Sequence, residues 1–230
     1  MIRNDRVIWA SCMVSCGDAD GAVTGNTRKY ATSLEKINKV IDARPGEIMF
    51  GLNMIVNRGK TVFIGDTSVN EYPTAQQLAD IAISSARVVR LFGFDPKIAF
   101  VSHSTFGQPA TNRTKHIRDA VEILQDRKVD FQFDGDMQPD VALNEEYKEL
   151  YSFSGIVGRA NILIMPGQHS AAISYKMMKE LGGAKVIGPL LIGLGQPIEI
   201  APLRSSTSDI LNLASVAAYS ASVINYSKKN

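Results

Sequence analysis

The stretch TVFIGDTSVNEYPTAQQLADIAISSARVVRLFGFDPKIAFVS, residues 61–102, decides the fold class of this chain. It opens with TVFI and closes with KIAFVS, two short apolar runs that are typical of buried strands. Between them lies a helical pattern with Thr74 as its N-cap, Gln77 at the capping-box position and Gly93 as its C-cap. A strand, a helix and a second strand in this order predict parallel strands in a sheet that is covered by helices.

The same alternation continues on both sides of this stretch. Apolar runs predict further strands at residues 48–56, 129–133, 161–165 and 184–188. Helical patterns occur at residues 113–127, 171–183 and 208–224. We therefore expect an α/β fold with mostly parallel sheets, in which ligands bind at the carboxyl ends of the strands.

Composition and charge exclude several classes of protein. With 45% hydrophobic and 21% charged residues, the 230-residue chain has the make-up of a globular protein and not of a disordered one. Its net charge of +2 and its dispersed basic residues argue against nucleic acid as a partner. No apolar run approaches the roughly 20 residues needed to cross a bilayer, and the N-terminus lacks the apolar core of a signal peptide. Because Cys12 and Cys16 lack the further ligands of a zinc site, we expect reduced thiols in a cytoplasmic protein without a membrane partner.

A hydroxyl-rich loop, SHSTFGQP, follows the predicted strand 97–102. Its candidate binding residues are Ser102, Ser104, Thr105 and Gly107. Hydroxyls and exposed backbone N–H groups beside a glycine are suited to hold a phosphate or an acyl-phosphate oxygen. Such a loop is also a common turn and helix cap, so the residues alone leave both interpretations open.

Three other polar segments offer weaker candidates. GDTSVNEYP, after the strand 61–64, and GQHS, at residues 167–170, carry carboxylates and a histidine, but both are also ordinary turn or helix-start sequences. DGDMQPD, at residues 134–140, has three aspartates around a glycine and lacks the full calcium-loop pattern. We therefore predict no metal site.

The segment APLRSSTSDI, residues 201–210, precedes the last predicted helix. Ser206 and Asp209 have the spacing of an N-cap and its N3 partner, so a helix start explains both residues. Capping does not explain Arg204, a cation beside a run of hydroxyls, as a site for an acyl or phosphoryl substrate has.

Several of these motifs, taken in order, resemble one family. The order SHSTFG, FDGDMQPDVALNEE, NILIMPGQHSAAISYKMMKELGGAKVIGPLLIGLGQPIEIAPL and TSDILNLA resembles the phosphate acetyltransferases, which exchange acetyl between coenzyme A and phosphate. It resembles still more closely the phosphotransacetylase-like C-terminal domain of large bacterial NADP-dependent malic enzymes. The opening, GDADGAVTGNTRKYATSLEKINKVID, fits the same domain, so the resemblance covers essentially the whole chain.

The resemblance also implies the arrangement of the fold. It implies two α/β lobes around a cleft, similar to isocitrate dehydrogenase-type folds, with the first lobe incomplete. One lobe would comprise residues 45–187, and residues 1–44 with 188–230 would form the remainder of the other. Because the family associates through such domains, a homo-oligomer is expected.

Two departures from the acetyltransferase pattern bear on activity. The resemblance places a Ser-Arg-Gly motif before the last helix, with an Asp seven residues after the Ser. Aligning Asp209 to that Asp without a gap puts Pro202 at the serine position and Leu203 at the arginine position. Arg204 then falls at the glycine position, and Phe106 stands where the enzymes tend to carry lysine. Loss of one charge-stabilising donor can cost about 10²–10³ in rate, so the resemblance implies a binding module without acetyltransferase activity.

For this chain the resemblance implies a regulatory domain that senses acetyl-CoA or a related CoA ester. The catalytic domain of a malic enzyme, with its NADP and divalent metal, would be joined in cis and would convert malate to pyruvate. The expected effector site consists of Ser102, Ser104, Thr105, Gly107, Asp209, Arg204 and Arg28. From charge placement alone, the coenzyme A phosphates would meet Arg113, Lys115 and Arg118. Two alternatives stay open: an active phosphate acetyltransferase that relies on Arg204, and a scaffold that serves only oligomerisation.

Overall fold

A computed structural model describes residues 4–109, 111 and 114–229, and strands and helices alternate along most of this length. The chain divides into two units, one formed by Met1–Gly51 with Ile187–Asn230 and the other by Leu52–Val186. In chain order the elements are α1 (Arg6–Cys16), β1 (Ala22–Gly25), α2 (Tyr30–Ile37), β2 (Phe50–Asn57), β3 (Lys60–Gly65), α3 (Ala75–Leu91), β4 (Lys97–Val101), α4 (Lys115–Asp126), β5 (Gln132–Met137), α5 (Pro139–Leu143), α6 (Glu145–Lys148), β6 (Ile162–Ile164), α7 (Gln168–Glu180), β7 (Lys185–Ile192), β8 (Ile198–Ala201) and α8 (Thr207–Lys229).

The larger sheet has six strands in the order β5-β4-β6-β3-β2-β7. Its strands β5, β4, β6 and β3 pair in parallel, which confirms the predicted fold class. β2 instead pairs antiparallel with β3, in a register that places Asn57 opposite Lys60. The two apolar runs on either side of this turn therefore form a hairpin, which the sequence analysis did not predict.

Helix α3 forms as predicted. The Thr74 side chain accepts a hydrogen bond from the Gln77 backbone N–H, and Gln77 Oε1 accepts one from the Thr74 N–H at 2.9 Å, which completes a capping box. The C-cap is Phe92, one residue before the predicted Gly93, which follows in the left-handed region at φ 83°. The buried face of α3 covers the sheet with Leu78, Ile81, Ala82, Ala86 and Val89.

Strand β5 departs from its prediction. It lies at Gln132–Met137 and not at 129–133, so it runs through part of the polar segment DGDMQPD. β5 pairs in parallel with β4, and Phe100 lies opposite Gly135. A Cβ at Gly135 would lie 2.7 Å from the Cβ of Phe100, so only glycine fits at this approach of the two strands. Strand pairing here outweighs the local preference of Asp and Gly for turns.

The first unit contains the two-stranded parallel sheet of β1 and β8, neither of which was predicted as a strand. Helices α1, α2 and α8 pack against this sheet. Their shared core contains Val7, Ile8, Val14, Leu34, Ile37, Ile198, Ile200, Leu213 and Ala217. Within the described part of the chain, no helix has both the length and the apolar character needed to cross a membrane.

Candidate functional site

Polar loops follow the carboxyl ends of four neighbouring parallel strands. β5, β4, β6 and β3 end at Met137, Val101, Ile164 and Gly65, respectively. Because these strands are parallel neighbours, the loops that follow them lie side by side at the carboxyl-terminal end of the sheet. The sequence predicted a ligand at these carboxyl ends, and most of the predicted site residues of the second unit lie here.

The carboxylate of Asp136 is the centre of the SHSTFG loop. Asp136 is fully buried, at 0% exposure. Its Oδ1 accepts a hydrogen bond from the Gly107 backbone N–H at 2.9 Å, and its Oδ2 accepts one from the Ser104 hydroxyl. Its backbone carbonyl accepts the Phe106 N–H at 2.6 Å. The cation nearest to Oδ2 among the described residues is Arg118, with Nη1 at 3.6 Å. A buried carboxylate is stable when its oxygens are satisfied in this way, so Asp136 holds the loop in one conformation.

Ser102 and Thr105 complete this cluster. The Ser102 and Ser104 hydroxyl oxygens lie 3.0 Å apart, and both residues are buried. Thr105 Oγ1 accepts the Gln138 backbone N–H at 3.2 Å. The structure therefore brings Ser102, Ser104, Thr105 and Gly107 together. Asp136, the partner of the Ser104 hydroxyl and of the Gly107 N–H, was considered from the sequence only as part of an acidic run.

The backbone N–H groups of this loop are already engaged. The Thr105 N–H donates to the Gln108 carbonyl at 2.9 Å, and the next two N–H groups donate to Asp136. The Ser104 N–H donates to Ser102 Oγ at 3.3 Å. In this conformation an anionic ligand would meet side-chain hydroxyls and the half-buried guanidinium of Arg118 before it met a free backbone N–H.

Phe106 belongs to an aromatic cluster beside this loop. Its ring lies 5.4 Å from the Tyr151 ring and 4.8 Å from the Phe153 ring, measured between centroids. Both are within the range in which tilted and edge-to-face pairs stabilise one another. Phe106 adopts a left-handed backbone conformation at φ 49°. At the position where the resemblance implies a lysine, the chain therefore has an apolar contact and no cation.

A second polar cluster lies at the neighbouring end of β3. Thr67 Oγ1 donates to Asn53 Oδ1 at 3.3 Å, and Asn53 is fully buried on β2. Among the described residues, Asn53 Nδ2 has no hydrogen-bond partner. The Tyr175 hydroxyl is the nearby titratable group: burial raises its pKa, and a contact with the Asn53 side chain, which does not meet the geometry of a hydrogen bond, offsets part of that rise. An unsatisfied buried amide costs free energy, so Asn53 is a candidate hydrogen-bond donor to a ligand. Its position inside the apolar run IMFGLNMIV, residues 48–56, is a sequence signal that could have indicated this role.

The carboxylate of Asp66 supports the loop after β3. Its Oδ1 accepts the Ser68 backbone N–H at 2.8 Å, and its Oδ2 accepts the Asn70 N–H at 2.6 Å. At the far end of this loop, Glu71 Oε1 lies 3.0 Å from His169 Nε2, and both side chains are largely exposed. The Asp66 contacts are typical of a turn, and the Glu71–His169 contact is a surface pair.

The remaining predicted residues belong to the first unit. Arg28 Nη1 lies 3.0 Å from Asp5 Oδ2, and Lys36 Nζ contacts the same oxygen. Asp5 also caps α1 by accepting the Val7 N–H. The two cations and this cap hold the pKa of the Asp5 carboxyl well below its ordinary value, with Lys36 as the largest cause. Arg28 is therefore part of a helix-capping cluster.

Arg204 and Asp209 precede and begin helix α8. Asp209 Oδ2 accepts from the Ser206 N–H at 2.9 Å and from the Ser206 hydroxyl at 2.8 Å, which confirms that the pair forms a helix cap. Arg204 is exposed and adopts φ 60°, the region that favours glycine. Its backbone N–H donates to the Asn26 carbonyl at 3.2 Å.

The other sequence-based candidates are placed as follows. Lys115 is exposed and pairs with Asp119 on α4, and Arg118 donates to Thr114 Oγ1 at 2.9 Å. Arg113 lies outside the described residues. Within the described ranges, no group of three or more His, Cys, Asp or Glu side chains is placed to hold a metal ion.

The sequence of this chain and its fold match known proteins. Residues 1–218 match the family described as Phosphate acetyl/butaryl transferase. An NADP-dependent malic enzyme of Rhizobium meliloti (strain 1021) is 48% identical over 96% of this chain, and a phosphate acetyltransferase of Nitratidesulfovibrio vulgaris is 30% identical over 96%. The chain spans only 29% and 32% of the length of these two relatives. The crystal structure of a phosphotransacetylase from Streptococcus pyogenes superposes with a TM-score of 0.86 at 33% identity, over 93% of this chain and 66% of that one.

Proposed function

This chain belongs to the Phosphate acetyl/butaryl transferase family, and we propose that it is an acetyl-CoA-sensing domain of an NADP-dependent malic enzyme without acetyl transfer of its own. The 48% identical malic enzyme supports this assignment to a larger protein, because the chain spans 29% of that relative. The catalytic domain joined in cis would carry the NADP and divalent-metal sites and would decarboxylate malate to pyruvate. Acetyl-CoA lies just downstream of pyruvate, so feedback by acetyl-CoA has a chemical rationale.

The packing of Phe106 carries the proposal that this domain is silent. Transfer of acetyl to phosphate needs a cation to bind the phosphate and to stabilise charge on the acyl oxygen. Phe106 occupies the lysine position of the family pattern and packs against Tyr151 and Phe153. Arg204, the cation within the other family motif, falls at the glycine position and adopts a left-handed conformation. Without a cation at the lysine position and at the arginine position of the family pattern, this chain would bind a CoA ester and not transfer its acetyl group to phosphate.

Buried polar groups at the carboxyl ends of the parallel strands support the proposed binding of acetyl-CoA. The Ser104 hydroxyl donates to the Asp136 carboxylate, the Ser102 hydroxyl lies 3.0 Å from that of Ser104, and Arg118 lies beside the carboxylate. Asn53 adds an amide donor that has no partner among the described residues. The thioester carbonyl or a phosphate oxygen of acetyl-CoA would satisfy such donors. Arg28, Arg204 and Asp209 remain predictions for the effector site.

We also infer a homo-oligomer in the cytoplasm. Helix α8 exposes Leu211, Tyr219 and Val223, which recur at intervals of four or eight residues and so lie on one side of the helix. Exposed apolar side chains in one row are a feature of surfaces that bind another protein. A second copy of this chain is the proposed partner.

Calorimetric titration of the 230-residue chain with acetyl-CoA, and with free CoA for comparison, tests the sensor. We expect saturable binding of acetyl-CoA that Asn53→Leu weakens by about tenfold, the effect of one lost buried hydrogen bond. Because Asn53→Leu also removes the acceptor of the Thr67 hydroxyl, urea unfolding of the variant establishes that the fold is retained before its affinity is compared. Ser215→Ala, on the exposed side of α8, is the matched control and should bind as the parent does. Absence of any CoA ester binding would refute the sensor and favour the oligomerisation scaffold.

An active phosphate acetyltransferase is the second candidate, favoured by the 30% identical acetyltransferase and by the phosphotransacetylase structure. It predicts phosphate-dependent exchange between acetyl phosphate and acetyl-CoA, with loss of that exchange in Arg204→Ala. Acetyl-CoA binding without exchange supports the sensor. Exchange that depends on Arg204 supports the enzyme.

A further inference from the structure

Three cations line one pocket of the second unit. Arg58, Lys60 and Arg159 line a cavity of about 210 Å³. Among the described residues, none of these three side chains forms a hydrogen bond or an ion pair. Like charges that share a pocket repel one another, and no carboxylate of the described chain lies within ion-pair distance of these three cations to offset the repulsion. An anion bound in the pocket would offset the repulsion among the three cations.

The position of Arg58 carries a conformational cost. Arg58 and Gly59 form the two-residue turn of the β2–β3 hairpin, at φ 49° and φ 74°. Two central residues with positive φ correspond to a type I′ turn, in which Asn, Asp or Gly is preferred at the first position. An arginine in the left-handed region costs about 1 kcal/mol relative to a residue that tolerates it. The chain therefore accepts strain at the residue that brings a cation to this pocket, a combination that is characteristic of functional sites.

The floor of the pocket is the apolar core. Ile55 and Val62 face one another across the β2–β3 hairpin, and both are buried. Leu143 and Met178 are partly buried and complete the floor. The pocket thus has cations at its rim and hydrocarbon beneath them.

This pocket is distinct from the candidate site for acetyl-CoA. It lies at the Lys60 end of β3, where the strand begins, whereas Asp136, Ser104 and Asp66 follow the ends of the parallel strands. Its volume of about 210 Å³ is also below the range of roughly 300–1,000 Å³ of pockets for drug-sized ligands. The pocket is therefore too small for a whole coenzyme A ester.

We propose that this pocket binds a small organic anion with a short apolar tail, a carboxylate or a phosphate monoester. The anionic head would pair with Arg58, Lys60 and Arg159, and the tail would displace water from the apolar floor. Both contributions are needed, because an exposed ion pair alone contributes little in water.

Titration of the 230-residue chain by calorimetry, with hexanoate and with butyl phosphate as probes, tests the proposal. We expect at least one probe to bind at least tenfold more tightly than 1-hexanol, which lacks the charge, and than acetate or inorganic phosphate, which lack the tail. Tighter binding of hexanoate identifies carboxylates as the ligand class, and tighter binding of butyl phosphate identifies phosphate esters. Affinity should also fall as salt is raised. The proposal is wrong if neither probe binds more tightly than its uncharged or tailless counterpart.

Two variants locate the bound anion. Arg58→Asn places a preferred residue at the turn, so it should keep or raise stability while weakening the binding of the probe by about tenfold. Arg159→Gln should weaken binding to a similar extent from the other side of the pocket. Lys179→Gln removes one exposed positive charge of α7 next to the floor residue Met178 and should leave binding unchanged. Unchanged binding in both arginine variants would place the anion elsewhere and overturn the proposal.

The test is independent of the proposed regulatory function. Acetyl-CoA titrated into Arg58→Asn should bind as it does to the parent chain, because Arg58 lies at the opposite end of β3 from the effector loops. Loss of acetyl-CoA binding in this variant would mean that one ligand occupies both regions, against the proposal of a second site.

Discussion

Glu199 makes the stability of this chain depend on pH, and the substitution Glu199→Gln tests that dependence. Glu199 lies on β8 with only 4% of its surface exposed. Its Oε2 accepts a hydrogen bond from the Leu191 backbone N–H at 2.9 Å. Burial raises the pKa of Glu199 to about 8, and the hydrogen bond from Leu191 offsets only part of the rise. The folded chain therefore keeps this carboxyl protonated at neutral pH.

The size of the effect follows from the pKa of Glu199 in the two states. In the unfolded chain the pKa has its ordinary value of 4.5, and in the folded chain it is about 8. Between these values the unfolded chain releases the proton while the folded chain retains it, so rising pH favours unfolding. The stabilising contribution is fully present below pH 4.5 and is lost as pH rises through about 8, at about 1.4 kcal/mol per pH unit. Over the whole interval the loss amounts to at most about 5 kcal/mol.

The assay is urea unfolding, followed by circular dichroism, of the parent chain and of Glu199→Gln between about pH 5 and pH 8. Glutamine has a similar shape and a carbonyl that can accept the Leu191 N–H, but it does not ionise. We expect similar free energies of unfolding near pH 5, and a variant that is more stable than the parent by about 3–5 kcal/mol near pH 8. Glu122→Gln, on the exposed face of α4, is the control and should follow the parent curve. Parallel curves for the parent and Glu199→Gln would refute the reasoning.

Three further substitutions test the candidate site and the start of α8, each by the free energy of unfolding in urea. Asp136→Ala removes the acceptor of the Ser104 hydroxyl and of a backbone N–H, so it should cost about 3 kcal/mol or more, and a cost below about 1 kcal/mol would contradict its central position. Arg204→Gly should be more stable than Arg204→Ala by about 1 kcal/mol, because both remove the guanidinium and only glycine tolerates φ 60° at no cost; equal stabilities would argue against that conformation. Ser206→Ala should cost about 1 kcal/mol through the lost cap, whereas Ser208→Ala, two positions further on, should change stability by less than about 0.5 kcal/mol. Equal effects of these two serine changes would remove the cap as the cause.

Sequence signals predicted the helix starts that are stabilised by contacts between residues close together in the chain. The capping box of Thr74 and Gln77 and the spacing of Ser206 and Asp209 both mark helix starts that the structure contains. These signals are reliable because the donor and the acceptor lie within four residues of one another. The alternation of apolar strands and amphipathic helices similarly predicted the α/β class with mostly parallel sheets.

The β2–β3 hairpin had a local signal that the sequence analysis did not use. Two apolar runs flank the pair Arg58–Gly59, and a two-residue connection that contains glycine favours a hairpin. Arginine is an uncommon residue at the first turn position, which weakened the signal. The short strands β1 and β8 offered less, because a four-residue strand is stabilised chiefly by its partner.

The amino-acid sequence by itself determined the order of the elements, the helix caps, the hydroxyl-rich loop at Ser102–Gly107 and the family resemblance. Only the tertiary structure decided that Asp136 is the centre of that loop, that Asn53 Nδ2 finds no partner among the described residues, and that Arg58, Lys60 and Arg159 share a pocket. Asp136 lies 32 residues from Ser104 in the chain, and Arg159 lies about 100 residues from Arg58. Strand pairing brings such residues together, and the burial that makes an unpaired amide or a raised carboxyl pKa costly exists only once the core has closed around them.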